Sequence, residues 1–283
     1  MKSIFSKYTN IILAVATTTL ATSCALDTVP APTYAELMIV NAVPSASSTA
    51  PLVAGTAPRL EINLDGTDLM SDSLQTSSFR GYFPLAPGSK NIKLTAANNH
   101  PVAGIKAGDV FHSYTFNGEA NTFASTFLFT ENNAITSLTV KDDLTTPATG
   151  KVHVRVVNLT GNPIDVFATT TGTEGSSVVT STPINVVSNV TPKTASTFRP
   201  IDAVPLRPGD ALPTFVRKNY TFQIRAVGAT TNLATLVTSA TNANNNNANT
   251  ATLENQRIYT IVVRSGATPT AAPTVFGFFN NRR

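Results

Sequence analysis

Short stretches in which apolar and polar residues alternate recur along this chain. Leu60-Glu61-Ile62-Asn63-Leu64, Asn91-Ile92-Lys93-Leu94-Thr95 and Tyr220-Thr221-Phe222-Gln223-Ile224-Arg225 put an apolar side chain at every second position, the period of a half-buried β-strand. Turn formers separate them: Asp65-Gly66, Leu85-Ala86-Pro87-Gly88 and Lys106-Ala107-Gly108-Asp109 supply the left-handed or proline-fixed backbone that a reversal needs. Further strands are predicted over 37–41, 79–83, 110–116 and 126–130, with 137–140 leading out. No window carries the 3.6-residue period of a long amphipathic helix. The inserts Ser45–Pro58, Thr170–Pro192 and Asn242–Thr250, rich in Ser, Thr, Pro or Asn, read as exposed loops.

The same order of signals occurs twice. Val154-Arg155-Val156-Val157-Asn158 echoes Leu37-Met38-Ile39-Val40-Asn41, and Ile164-Asp165-Val166-Phe167 echoes Leu60-Glu61-Ile62-Asn63. Ser196-Thr197-Phe198-Arg199 stands where Ser77-Ser78-Phe79-Arg80 stood, and Leu206-Arg207-Pro208-Gly209 repeats Leu85-Ala86-Pro87-Gly88. Residues 257–263 are matched to 110–116, and 274–281 to 126–133. Serial agreement of this kind marks an internal duplication. Short strands with turns every 8–12 residues predict an all-β chain of two tandem immunoglobulin-like β-sandwiches, over 36–142 and 151–283. Asp143 to Gly150 reads as the linker between them.

Composition agrees with this reading and adds a charge asymmetry. Charged residues make up 13% of the chain and Trp is absent, while the abundant Thr and Val favour strands. The formal charge is +4. Residues 36–150 hold 6 Lys/Arg against 10 Asp/Glu, a balance of −4, and residues 151–283 hold 12 against 5, a balance of +7. The cations are scattered with no basic run among stacking aromatics, which argues against nucleic acid as a partner.

Residues 1–23 read as an export signal rather than fold. Lys2 and Lys7 precede an apolar stretch opened by Ile11-Ile12-Leu13-Ala14-Val15-Ala16, too short to cross a bilayer. It ends in Leu20-Ala21-Thr22-Ser23-Cys24, at the only cysteine of the chain. This resembles a bacterial lipoprotein signal, in which the cysteine becomes the lipid-modified first residue; Ala21 departs from the usual Leu. The expectation is a lipid anchor on Cys24 with 24–35 as a Pro/Thr/Ala-rich tether. With no second cysteine, disulfides cannot staple the domains. The resulting location is the bacterial cell envelope, as an outer-membrane lipoprotein, facing either the periplasm or the outside.

Gly150-Lys151-Val152-His153-Val154-Arg155-Val156-Val157-Asn158-Leu159, followed by Pro163-Ile164-Asp165-Val166, resembles the DUF4397 family of bacterial envelope proteins. That family's units run G-K-A-x-V-R-V-V-N-x-S-P-D-A-P-A-V-D-V-Y, then a Phe-containing strand, a P-A-G turn and Y-T near the end. The likeness covers 151–265 closely and 36–140 more loosely. Two departures stand out: the S-P-D-A-P turn is shortened to Leu159-Thr160-Gly161-Asn162-Pro163, and the Gly before the Tyr-Thr strand is kept as Gly108 but replaced by Gln256. The resemblance implies β-sandwiches and lipid anchoring, and no activity.

Candidate chemistry is sparse. His153 shares a strand face with Arg155, opposite Val154 and Val156, and both read as exposed; His112 and His100 read as structural. No histidine pair has metal-ligand spacing, and no nucleophile-elbow motif occurs. Asp142-Asp143 and Asp65-Gly66-Thr67-Asp68 are possible calcium carboxylates, read instead as linker solvation and a hairpin turn. Asp165 and Glu61 occupy matching outward positions, and Asp165 is expected to hydrogen-bond a neighbouring turn. Asp27-Thr28-Val29 and Asp72-Ser73-Leu74 resemble the short O-glycosylation sequon of the Bacteroidetes. No catalytic residue, metal site or cofactor is indicated. The expectation is a non-enzymatic binding or structural module whose loops meet a glycan or protein. The alternative is an enzyme or accessory subunit in envelope polysaccharide handling, which a cleft of clustered carboxylates would favour.

Overall fold

The structure, a computed structural model, describes residues 33–44, 59–68, 74–97, 106–131, 134–174, 177–203, 215–239, 253, 255–266 and 271–280. The export signal with Cys24, the inserts over 45–58 and 242–250, the turn over 206–209, His100 and the sequon positions Asp27, Thr28, Val29, Asp72 and Ser73 lie outside the described residues. All regular elements among the described residues are strands. The first eight are β1 (Ala35–Asn41), β2 (Leu60–Leu64), β3 (Thr67–Asp68), β4 (Ser78–Leu85), β5 (Gly88–Ala96), β6 (Val110–Gly118), β7 (Thr122–Glu131) and β8 (Ala134–Asp142). They form two sheets, ordered β4-β1-β7-β8 and β3-β2-β5-β6, packed face to face as an immunoglobulin-like sandwich.

Ten more strands follow: β9 (Lys151–Leu159), β10 (Ile164–Glu174), β11 (Ser177–Thr180), β12 (Ile184–Val190), β13 (Thr194–Ala195), β14 (Arg199–Asp202), β15 (Phe215–Ala226), β16 (Asn232–Ser239), β17 (Ile258–Arg264) and β18 (Thr274–Phe279). Their sheets run β13-β9-β17-β18, with β14 also on β9, and β11-β10-β15-β16, with β12 also on β10. In both sandwiches the first strand pairs in parallel with a later one, β1 with β7 and β9 with β17, and antiparallel with the segment preceding it in the sheet order.

The register explains the Val-Val-Asn signature. Asn41 and Asn158 end the apolar runs of β1 and β9, and both are fully buried. The Asn41 amide donates to Leu74 O at 3.3 Å, and its Oδ1 accepts Val43 N–H at 3.2 Å. Asn158 repeats this, donating to Val190 O at 2.9 Å and accepting Thr160 N–H at 3.0 Å. Each asparagine thus ties its strand to the crossing chain and closes its own turn, satisfying polar backbone that burial leaves without water. Ser77 and Lys193, both left-handed (φ 60° and 58°), donate their N–H groups to Asn41 O and Asn158 O, each at 2.8 Å.

Three sequence expectations are corrected here. The stretch 170–192 is not a loop: it holds the end of β10, β11 and β12, because the β-branched runs Thr169-Thr170-Thr171, Val178-Val179 and Ile184-Asn185-Val186-Val187 outweigh the intervening Gly, Ser and Pro. Residues 137–140 do not lead out of a sandwich but lie in β8, paired along β7. The last matches between the halves are one strand out of step. By sheet position β17 corresponds to β7 rather than β6, and β18 to β8. The left-handed residues agree: Asn121 (φ 59°) donates its N–H to Tyr34 O just before β7, as Gln256 (φ 61°) donates to Lys151 O just before β17. The shared Tyr-Thr pattern of β6 and β17 caused the slip.

Burial divides the four sheets into two kinds. The outer strand β5 alternates, with Ile92, Leu94 and Ala96 buried and their neighbours largely exposed. The inner strand β17 is buried at every position, and β1 and β9 nearly so. One face of each inner sheet fills its own sandwich, and the other meets the inner sheet of the other sandwich. Met38, Val40, Tyr82, Phe127 and Phe129 pack there with Val157, Leu159, Val262, Phe276 and Phe278. The chain from Tyr34 onward is accordingly one compact unit of four stacked sheets. Continuous apolar runs such as Leu37-Met38-Ile39-Val40 are what double burial requires.

Tight packing also fixes one glycine. A Cβ on Gly277 would lie 2.1 Å from the hydroxyl oxygen and 2.4 Å from Cζ of Tyr259, a fully buried ring with no room to retreat. Gly277→Ala is expected to destabilise the fold by about 1–3 kcal/mol through overpacking. A urea midpoint unchanged from wild type would contradict this.

Candidate functional site

Two polar features interrupt the apolar stack. The first is a closed ring of side chains inside the junction of the two sandwiches. Asp142, at the end of β8, forms an ion pair through Oδ1 with Arg155 Nη1 of β9, and the two side chains are 0% and 1% exposed. Asp142 Oδ2 accepts the Tyr82 hydroxyl at 2.5 Å and the Ser125 hydroxyl at 2.6 Å. Arg155 Nε donates to Thr260 Oγ1 at 3.0 Å and Nη2 to Ser125 Oγ at 3.3 Å. The Thr260 hydroxyl donates to Asn280 Oδ1 at 2.5 Å, and the Asn280 amide returns to the Tyr82 oxygen at 3.1 Å.

Each sandwich contributes three members, Tyr82, Ser125 and Asp142 against Arg155, Thr260 and Asn280. Burial, reinforced by the Asp142 charge, pushes the Tyr82 hydroxyl up, so it stays protonated and donates. The guanidinium also lies over the Phe198 ring at 4.8 Å and the Phe127 ring at 5.8 Å. Towards the ends of the junction, Arg264 Nη1 donates to Val43 O at 2.9 Å. Burial lowers its pKa to about 10, which leaves it charged at neutral pH. Lys193 reaches Glu131 at 3.5 Å and sits over Phe129. This ring holds the scaffold together and is closed to ligands.

The second feature is accessible. On the open side of the first sandwich, between edge strands β6 and β8, lies a cleft of about 350 Å³. Phe116, Phe123 and Ala124 give it apolar walls; Thr115, Asn117, Thr122 and Thr139 give it hydroxyl and amide groups; Glu119 and Lys141 stand at its mouth, paired at 2.9 Å and largely exposed. Deeper along the same seam the Thr126 and Thr139 hydroxyls share a hydrogen bond of 2.8 Å, and His112 Nε2 meets Ser137 Oγ at 3.0 Å. The His112 ring stacks on Tyr114, 5.8 Å between centroids. Burial lowers the imidazole pKa and raises that of the Tyr114 hydroxyl, so both are neutral near pH 7. The matching seam of the second sandwich is packed by Ala234, Leu236, Val275 and Phe279. A polar seam in one sandwich and an apolar one in the other is the main asymmetry between them.

The His112–Ser137 pair is the nearest approach to a nucleophile and base. Among the described residues no carboxylate is hydrogen-bonded to this imidazole, so the orienting acid of a Ser-His-Asp mechanism is not supplied. The cleft offers hydrogen bonding and apolar contact.

The sequence-derived candidates fall as follows. Arg155, expected on the surface, is buried, because the face opposite Val154 and Val156 is covered by the other sandwich; His153 on that face is half-buried. Asp142, read as linker solvation, is an ion-pair partner, whereas Asp143 is exposed and accepts Thr145 N–H at 3.0 Å; hydrogen bonding from the Thr145 side chain, and then from this N–H, lowers its pKa. Asp65-Gly66 forms the β2–β3 turn, left-handed at both residues (φ 47° and 91°), with Asn63 bonded to Asp68 at 2.8 Å. Among the described residues no three His, Cys, Asp or Glu side chains cluster as for a metal ion. Asp165 accepts Asn189 N–H at 2.8 Å and Gly228 N–H at 3.0 Å, tying β12 and the β15–β16 turn to β10. The seam residues Tyr114, Asn117, Ser137 and Thr139 carry no sequence motif; only the fold brings them together.

Residues 35–167 match the model of a domain of unknown function, DUF4397, which supports that domain family for this part of the chain. The match covers the first sandwich, β9 and the first residues of β10, rather than 151–265 where the residues themselves read closest. Both signature asparagines, Asn41 and Asn158, fall inside it. No curated protein matches the chain. Among solved structures, similarity extends to a leucine-rich repeat protein from Bacteroides thetaiotaomicron, at 10% identity and TM-score 0.20, over 84% of this chain and 27% of that one. It also extends to a "putative cell adhesion protein" from Parabacteroides distasonis, at 9% identity and TM-score 0.23, over 89% and 100% of the two chains. A protein of the same description from Bacteroides ovatus follows at 11% and 0.19, over 86% and 96%. The sandwich assignment itself rests on strand order and register.

The buried ring makes a sharp prediction. Arg155→Ala strands the Asp142 carboxylate in the junction and is expected to cost about 3–5 kcal/mol in urea unfolding, whereas the double replacement Arg155→Met with Asp142→Leu costs less than either single change. A loss below about 1 kcal/mol for Arg155→Ala would contradict the assignment of this pair as the junction's clamp.

Proposed function

We propose that this chain is a non-enzymatic binding module of the bacterial cell envelope, built of two tandem DUF4397-like units and carried on a lipid at Cys24. The seam of its first sandwich is the ligand site. The observation that carries this reading is the cleft between β6 and β8, open and lined by neutral hydrogen-bonding groups over aromatic walls. Concave, partly apolar surface with a few convergent polar groups is where small ligands and chain segments bind. Its single carboxylate, Glu119, is held by Lys141, which speaks for recognition rather than the paired-carboxylate chemistry of polysaccharide cleavage. A doubly buried scaffold holds the cleft rigid.

Two measurements test the proposal. Screened against immobilised oligosaccharides and envelope protein extracts, wild-type protein is expected to retain a partner that Thr139→Phe, which fills the cleft, binds about tenfold more weakly. Equal binding by the two would move the site elsewhere. Metabolic labelling with an alkyne fatty acid is expected to mark wild type and not Cys24→Ala; equal labelling, or none in either, would overturn the anchor.

A further inference from the structure

One edge strand of the second sandwich, β16, carries an exposed apolar stripe. Among the described residues, strand β16 ends its sheet and pairs with β15 alone. Its sequence, Asn232-Leu233-Ala234-Thr235-Leu236-Val237-Thr238-Ser239, contains no charge and no proline. Ala234, Leu236 and Thr238 face the core, which leaves Leu233 and Val237 on the outside, 40% and 49% exposed. With Val227 in the turn before the strand, 48% exposed, they make three of the six large apolar side chains exposed among the described residues. Two of the four edge strands of the first sandwich, β8 and β6, present polar side chains by contrast, with Val110 at the start of β6 the one exposed large apolar residue among those described there. On β8 the exposed Lys141 pairs with Glu119, and on β6 Ser113, Thr115 and Asn117 point outward. Native edges that must stay unpaired carry such polar or charged residues.

We infer that β16 is a homotypic pairing edge, at which two copies of this chain join their outer sheets antiparallel about a two-fold axis through Thr235. The sequence is self-complementary in that register. Leu233 of one copy lies opposite Val237 of the other, Ala234 opposite Leu236, and Thr235 opposite itself. Every exposed apolar residue of the strand thereby gains an apolar cross-strand neighbour within about 5 Å, and the interface is isologous, as a closed dimer requires. The occupant is a second copy because no charged or shaped feature of the strand selects a different sequence, while its own sequence fits itself. The balance of +7 on residues 151–283, with Arg225 beside Asn232 on the adjoining strand, opposes the approach of two copies. Association is therefore expected to strengthen as salt screens this repulsion.

Sedimentation equilibrium on the Cys24→Ala chain, which excludes lipid-driven association, tests this. The expected result is a reversible monomer–dimer equilibrium that shifts to dimer from low to moderate ionic strength. Thr235→Lys and Val237→Lys, both on the exposed face, are expected to raise the dimer dissociation constant at least about tenfold, with the urea midpoint of the monomer unchanged. Thr115→Lys on the β6 edge leaves the constant as it is. A monomer at every concentration and salt, or a dimer indifferent to both β16 substitutions, overturns the inference. A monomer that captures a different envelope protein through this edge overturns it as well.

Discussion

The architecture depends on one buried ion pair. Asp142 immediately precedes the 143–150 connection and Arg155 lies five residues beyond it, one at the end of the first sandwich and the other early in the second, and neither side chain is accessible. Isolated in the junction, either charge would be strongly unfavourable. Together they are tolerated because Tyr82, Ser125 and Thr260 hydrogen-bond them directly, with Asn280 linking Thr260 back to Tyr82. A polar ring so densely paired in an apolar interface favours one alignment, since a slip of either sheet would leave several partners unpaired at once. The apolar contacts of Phe79, Phe127 and Phe278 supply attraction without that selectivity. The ring supplies the register.

This arrangement determines what could be read from the residues alone. The outer strands announce themselves by alternation, because one face meets water, and Leu60–Leu64 and Tyr220–Arg225 were recovered on that basis. The inner strands β1 and β17 carry continuous apolar runs, which hint at double burial without naming what covers them, while β9 alternates over its first half and hides its double burial. Arg155 was misread for this reason. A charged residue between valines looks like the wet face of a strand, and only the second sandwich makes that face dry. The cue lies in the adjacent Val156-Val157, which breaks the alternation that one wet face would impose. Asn41 and Asn158 were visible as a repeated motif, but their bonds to Leu74 and Val190 depend on chain that arrives from elsewhere.

The seam of the first sandwich was less legible still. Tyr114, Ser137, Thr139 and Asn117 are ordinary strand residues, and nothing in their spacing separates them from the many other Thr, Ser and Asn positions. Their significance is comparative: the seam of the second sandwich is filled by apolar side chains, whereas here the same place is polar and open. The two sandwiches thus share one strand plan and differ in surface. One keeps a cleft and the other an apolar edge.

The central claim is that the two sandwiches share a core and a polar ring, and so form one cooperative unit rather than two beads on a linker. Differential scanning calorimetry of the chain tests this most directly. The account predicts a single transition whose calorimetric enthalpy equals the van't Hoff enthalpy for all the described strands together. Two separable transitions, each with the enthalpy of one sandwich, would contradict it.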